Sequence, residues 1–270
     1  VLSQTYIVPA LLNAFHGAKF KTVLGFQGTA QMDLAIERGE IDAAALKQVE
    51  DEEIRTLVRR QEEIGLSSIT DGEYRRAWWH FDFLGALGGV QLVDVEQGIQ
   101  FAGVQTKAQA PRVVGKLNYA GHPFVEHFKY LKSTTTKTPK MTIPSPSMLH
   151  YRGGRKMINM GVYPQMEDFY TDLGQAYAGA VRDFAQAGCR YLQLDDVRFA
   201  HLGDPEQLKM LRDRGDDPQK QPSIYAGMIN TAIADRPQDM TISMHLCRGN
   251  FRSTFVASGG YEPIADLLFN

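Results

Sequence analysis

Four groups of side chains in this sequence have types and spacings that could do chemistry. The first lies in "TISMHLCRGNF" (241–251), where His245 and Cys247 stand two residues apart. Side chains on a strand alternate with a period of two, so both would point to one face. Imidazole nitrogen and thiolate sulfur are both good zinc ligands. The same pair also suits the interior of an ordinary strand, because a lone cysteine is commonly an inert core residue. Two ligands are not a zinc site, and Cys189 does not add a third. It opens the strand that Asp195 ends, and six residues at ~3.3 Å each put it about 20 Å from that end.

The second group is carboxylates: Asp71 and Glu73 in "ITDGEY", and Asp195 in "LQLDDV". Placed at strand ends, they could hold an amine, serve as general base or ligate a metal. The competing use of Asp195 or Asp196 is to cap the helix that follows. The third group is "EYRRAWWHFDFLG" (73–85), which holds both tryptophans, Trp78 and Trp79, next to His80, Phe81 and Phe83. Such a surface could stack a flat heteroaromatic ligand, with Arg75 and Arg76 on its carboxylates; packing into a core with solvated arginines is the alternative. The fourth group, Ser145, Ser147, His150 and Tyr151, follows "KMTIP". Arg248 and Arg252, just past the His-x-Cys, are anion contacts or solvated charges. No phosphate-binding glycine loop and no trustworthy Ser/His/Asp order is present.

The elements that must position these groups repeat one pattern: helix, short connection, strand, polar residues. In 41–73, Asp42 is a candidate N-cap, Leu46, Val49, Ile54, Leu57, Val58 and Ile64 recur at helical spacing, and Gly65 is a natural stop before the strand "SSIT". In 164–196, Met166, Phe169, Tyr170, Leu173, Tyr177, Val181 and Phe184 form an apolar face, Gly188 ends the helix, and "CRYLQL" is the strand. In 223–247, Tyr225, Met228, Ile229, Ala232 and Ile233 face inward ahead of the strand that ends at His245 and Cys247. A fourth strand, "KMTIPSPSM", has no equally clear helix before it. Repeated helix–strand units imply a parallel sheet with helices outside, and polar residues gather where its strands end. A (β/α)8 barrel carries its site on that rim, and so does an open doubly wound sheet. Residues 85–139 break the rhythm: their alternating, β-branched character reads as a hairpin-rich excursion with a short helix around "PFVEHFKYL". The charge run 212–222 reads as a solvated loop.

The chain of 270 residues fits one large α/β barrel, and its 43% hydrophobic and 22% charged content suits an ordinary folded core. Lys+Arg 29 against Asp+Glu 31 gives a net charge of -2, which offers no electrostatic reason to expect a nucleic-acid or membrane-surface partner. No run approaches the ~18 apolar residues of a membrane span. The N-terminal stretch lacks the basic start of a signal peptide. Two cysteines, Cys189 and Cys247, make no disulfide framework, so a reducing, cytoplasmic setting is expected.

Taken together, "ITDGEYRRAWWHFDFL", "IPSPSMLHYRGG", "YLQLDDVRFAHL" and "MHLCRGN" resemble the stand-alone relatives of the catalytic (C-terminal) barrel of cobalamin-independent methionine synthase, within the zinc-dependent thiol methyltransferases. The resemblance covers about residues 36–270, leaving 1–35 as an atypical N-terminal segment. It implies a (β/α)8 TIM-type barrel with the excursion at about 85–139. It also implies a zinc ion that binds homocysteine as thiolate for attack on the methyl group of 5-methyltetrahydrofolate. Zinc coordination removes a thiol proton near neutral pH while keeping a nucleophile.

By the same resemblance, His245 and Cys247 match the family's H-x-C zinc ligands. Glu73 and Asp195 match residues that contact the amino-acid substrate. Asp71 stands where the synthase has a histidine, Asp196 where it has a glutamate, and His201 near an acidic folate contact. The loop at His150 and Tyr151 falls near a pterin-stacking tryptophan. Trp79 and His80 complete the expected substrate-binding set. The family's Gly-Ser motif is not matched in "FKTVLGFQGTAQMD". Its glutamate ligand, second cysteine and histidine proton donor would fall beyond Asn270, so the barrel is expected to lack strands 7 and 8.

The leading expectation is therefore zinc-dependent methyl transfer to homocysteine, giving methionine, from folate or another donor such as a corrinoid protein. Alkyl transfer to a different thiol is a close variant. An inactive or partner-dependent barrel is the second class, and a hydrolase using Glu73 and Asp195 as a carboxylate pair the third. Unpaired sheet edges in an incomplete barrel predict a homo-oligomer or a complementing chain.

Overall fold

Amphipathic helices alternate with short apolar strands through most of the molecule. The structure, a computed structural model, describes residues 42–96, 100–101, 104–105, 109–151, 153–250 and 254–269. The atypical segment 1–35 and Arg252 lie outside these. Helix α1 (Ala43–Glu63) begins where the Asp42 side chain accepts the Ala44 N–H, and it stops before Gly65, whose φ of +88° a glycine adopts without strain. Ile54 and Val58 are buried against β1 (Ser68–Ile69), whereas Val49 and Ile64, expected on the inner face, are exposed. The helix is buried through its middle and last turn, at Ile54, Val58 and Gln61.

After β1 come α2 (Phe81–Gly85) and the excursion: β2 (Gly88–Asp94), β3 (Gln100–Phe101), β4 (Val104–Gln105) and β5 (Gln109–Asn118). β2 pairs antiparallel with β5, and β3 with β4. Register slips between Gly88 and Val90; a Cβ on Gly89 (φ +86°) would lie 2.5 Å from the Lys116 carbonyl oxygen, so this bulge requires glycine. Then follow α3 (Pro123–Thr134), β6 (Thr138–Pro144), α4 (Ser147–Tyr151), a 3-10 turn (Gly154–Met157), α5 (Met166–Gln186), β7 (Tyr191–Asp196), α6 (Arg198–His201), α7 (Pro205–Asp213), α8 (Gln221–Ile233), β8 (Thr241–Leu246) and α9 (Glu262–Phe269). The helix preceding β6, unclear in the sequence, is α3, capped by the His122 ring.

The main sheet is parallel, in the order β1-β6-β7-β8. This is the α/β class read from the sequence, with the four expected strands in sequence order. As described, the sheet does not close into a ring. Helix α5 buries Phe169, Leu173, Tyr177, Val181 and Phe184 in the same core as Met141, Ile143, Leu192 and Leu194 of β6 and β7. Each such side chain contributes about 1.5–3 kcal/mol of transfer free energy. Cys189 is fully buried, and burial pushes its thiol up to about 11, which makes it a core residue. The expected solvated loop 212–222 is only partly so: Asp216 and Gln221 turn inward. No described helix is long and apolar enough to cross a membrane.

Candidate functional site

The parallel strands deliver their polar residues to one rim. Register sets Pro144, Asp195 and His245 side by side across β6, β7 and β8. The Asp195 carboxylate accepts from Gln193 Nε2 at 2.7 Å and lies 3.2 Å from His245 Nδ1. Gln193 precedes Asp195 by two residues, so strand alternation puts both on one face. The contact engages Nδ1 and leaves Nε2 as the ring nitrogen for a further partner; the His245 side chain is 51% exposed. Cys247 follows β8 directly. Its sulfur accepts the Gly249 N–H at 3.3 Å, which fixes its position.

The turn after β1 brings in the other carboxylates. Asp71 accepts the Glu73 N–H at 3.0 Å, and Gly72 and Glu73 are both left-handed, with φ of +65° and +58°. Among the described residues Glu73 is the only non-glycine there, a conformation that costs about 1–2 kcal/mol. It directs the Glu73 carboxylate over β6, where Thr142 Oγ1 donates to it at 2.7 Å and Arg76 Nη1 lies at 3.3 Å. Burial raises the Glu73 carboxyl above the ordinary carboxylate range. Arg76 and Thr142 oppose this, and the charges of Asp195 and Asp71 add to it. Glu73, Asp71 and Asp195 thus share one electrostatic neighbourhood, suited to holding an ammonium group.

Asp196, adjacent to Asp195, has a different job. It is fully buried, takes hydrogen bonds from the hydroxyls of Ser145 and Ser147, and accepts the N–H groups of Arg198 and Phe199 at 2.6 and 2.9 Å. It ties the end of β6 to the start of α6, which also commits both serines. The aromatic stretch folds on itself: His80 is fully buried between Trp79 and Phe81, at ring distances of 4.4 and 4.2 Å, and Trp78 packs on Phe81 at 5.3 Å. Arg75 is engaged by Glu50 and Asp51, and Arg76 Nη2 by the Thr142 carbonyl at 2.6 Å. Thr142 and Gln193 were not singled out in the sequence; their period-two spacing before Pro144 and Asp195 is the signal that could have found them.

Among the described residues no three His, Cys, Asp or Glu side chains are grouped so as to hold a metal ion. His245 and Cys247 supply two donors. The described residues alone therefore do not complete a zinc site.

The family model for the cobalamin-independent synthase, catalytic domain, matches residues 26–259. The Bacillus subtilis protein YxjH is 46% identical over 233 residues, which are 86% of this chain and 61% of that protein. The chain thus spans about three fifths of such curated relatives. A solved structure from Listeria monocytogenes, provisionally named a vitamin-B12 independent methionine synthase, is 37% identical with a TM-score of 0.68 and covers 95% of this chain and 69% of that one. A 5-methyltetrahydropteroyltriglutamate–homocysteine methyltransferase of Thermotoga petrophila is 24% identical over 225 residues, 82% of this chain and 28% of that protein.

Proposed function

Because this chain belongs to the family of the cobalamin-independent synthase catalytic domain, we propose that it moves a methyl group onto the thiol of an amino acid, homocysteine being the first candidate. One observation carries the reading: the Asp195 carboxylate touches His245 at 3.2 Å and also acts on Glu73, so the amine-holding carboxylates and the His-x-Cys share one rim. Glu73 and Asp195 hold the substrate ammonium, and Asp71 fixes the turn that presents Glu73. Trp79 and His80, packed ring against ring, remain part of the proposed substrate-binding set. In the reaction, the substrate thiol gives up its proton and the sulfur lone pair forms the new S–CH3 bond. The bond from methyl to donor breaks, and its electron pair stays on the donor, which takes up a proton when the donor atom is nitrogen. Folate and a corrinoid protein are the donors to compare.

His245 and Cys247 are proposed as two zinc donors, joined by donors that are not among the described residues. Bound zinc would supply a thiolate at neutral pH. The free cysteines suit a reducing cytoplasm. The test is methionine formation from homocysteine with 5-methyltetrahydrofolate or methylcorrinoid, alongside zinc content. Zinc that disappears in Cys247→Ser supports the proposal, and activity indifferent to both chelation and that substitution sinks it.

A further inference from the structure

Directly beneath the rim that carries Asp195 and His245 runs a second row of polar side chains. Register pairs Thr142 of β6 with Gln193 of β7, and Gln193 with Ser243 of β8. Each stands two residues before its rim neighbour, Pro144, Asp195 or His245, so the row shares the face of those residues. The alternate residues Met141, Ile143, Leu192 and Leu194 are buried in the apolar core. Strands of a parallel sheet are ordinarily apolar on both faces, and a polar group placed inside one is costly unless its hydrogen bonds are used.

Two members of the row spend their donors on the carboxylates above them, and each carboxylate is gripped by one oxygen. Thr142 Oγ1 donates to Oε1 of Glu73 at 2.7 Å, and Arg76 Nη1 lies 3.3 Å from the same oxygen. Gln193 Nε2 donates to Oδ1 of Asp195 at 2.7 Å, and His245 Nδ1 lies 3.2 Å from that oxygen. Among the described residues no hydrogen bond or ion pair engages Oε2 of Glu73 or Oδ2 of Asp195. The third member, Ser243, has a buried hydroxyl with no hydrogen-bond partner among the described residues, so it holds neither carboxylate. The terminal torsion of a carboxylate is soft, and a donor on one oxygen fixes where the other stands. An ammonium group donates three N–H bonds in set directions and needs its acceptors in matching places. A side chain fixed before the ligand arrives also loses less freedom on binding.

We propose that Thr142 and Gln193 are positioning residues: Thr142 fixes one oxygen of Glu73, Gln193 fixes one oxygen of Asp195, and the two remaining oxygens are thereby presented to the ammonium of the amino-acid substrate. This rests on the proposed role of Glu73 and Asp195 as the pair that holds that ammonium. The row makes the site selective for an acceptor that carries a primary amine, over a thiol that lacks one.

Calorimetric titration of the full chain tests this with two ligands: L-methionine, the product of the proposed reaction, and 4-(methylthio)butanoate, the same molecule without its amine. The parent should bind methionine the more tightly. Thr142→Val keeps the branched shape and loses the hydroxyl; Gln193→Leu keeps the bulk and loses the donor. Each should weaken methionine about tenfold or more, through loss of one hydrogen bond to a charged group, and leave 4-(methylthio)butanoate unchanged. Thr142→Ser, which restores a hydroxyl, should recover methionine binding. Ser243→Ala, in the same row but on neither carboxylate, should bind both ligands as the parent does. Three results would overturn the proposal: parental methionine binding in Thr142→Val and Gln193→Leu, equal losses for both ligands, or no saturable methionine binding by the parent. Methionine formation from homocysteine by the parent is measured alongside. Its presence beside any of those three results leaves the methyl-transfer reading standing, and its absence counts against that reading and not against the row.

Discussion

Asp195 and Asp196 are neighbours in sequence and differ in everything their carboxylates touch. Asp196 satisfies two buried hydroxyls and two backbone N–H groups, so Asp196→Ala strands four buried donors and should destabilise the chain by about 3 kcal/mol in urea denaturation. Asp195→Asn should change stability little and act on methyl transfer. A stable Asp196→Ala beside an unfolded Asp195→Asn would reverse the two roles. Glu73 gives a pH-dependent prediction. Its carboxyl is raised chiefly by burial, so the folded chain keeps this proton at pH values where the unfolded chain has lost it. The group costs the fold nothing below its ordinary value of 4.5, and stability falls as pH rises through the raised value. Glu73→Gln should therefore melt higher than the parent at neutral pH, with the difference closing below 4.5. Its kcat/KM should drop about 10–100-fold, the loss of a charged hydrogen bond of ~1.5–3 kcal/mol. A variant that melts lower at neutral pH would contradict the assigned direction.

At the scale of elements, periodicity reads a helix's inner face but not how far a neighbour extends along it. The apolar spacing of α5 is buried over its length, whereas in α1 the same spacing includes exposed Val49 and Ile64. Leu173→Ala, in the fully buried part of α5, should cost about 2–5 kcal/mol, and Val49→Ala, 42% exposed, close to nothing. Equal costs in chemical denaturation would show that the sequence pattern outranks the packing. The four strands and their rim residues were legible because alternation and strand-end polarity are local signals. The pairing of Asp216 with His150 was not, since its partner comes from a distant part of the chain and its surroundings look like a surface charge run. The dual use of "DD" was equally hidden: residue type gives two candidate caps, and only the strand register decides which one faces His245.

At the scale of the molecule, the sheet has two edges among the described residues, β1 and β8. Parallel strands are ordinarily covered on both faces and paired on both sides, because an open edge leaves unpaired N–H and C=O groups. β1 spans two residues and exposes little; β8 spans six and is the edge that carries His245, with Cys247 just beyond it. Whatever strand pairs with β8 therefore stands beside His245 and Cys247, at the ~4.8 Å spacing of neighbouring strands. On the proposed reading, in which His245 and Cys247 hold zinc, pairing of this edge and completion of the zinc site would be one event, and metal affinity should rise with assembly. Zinc titrated into metal-free protein should bind tightly only in samples whose light-scattering mass exceeds the 30.2 kDa of one chain, and chelation should return the single-chain mass. Cys247→Ser should weaken zinc and assembly together. A monodisperse single chain that binds one zinc tightly would separate the two and place the missing donors within the chain itself.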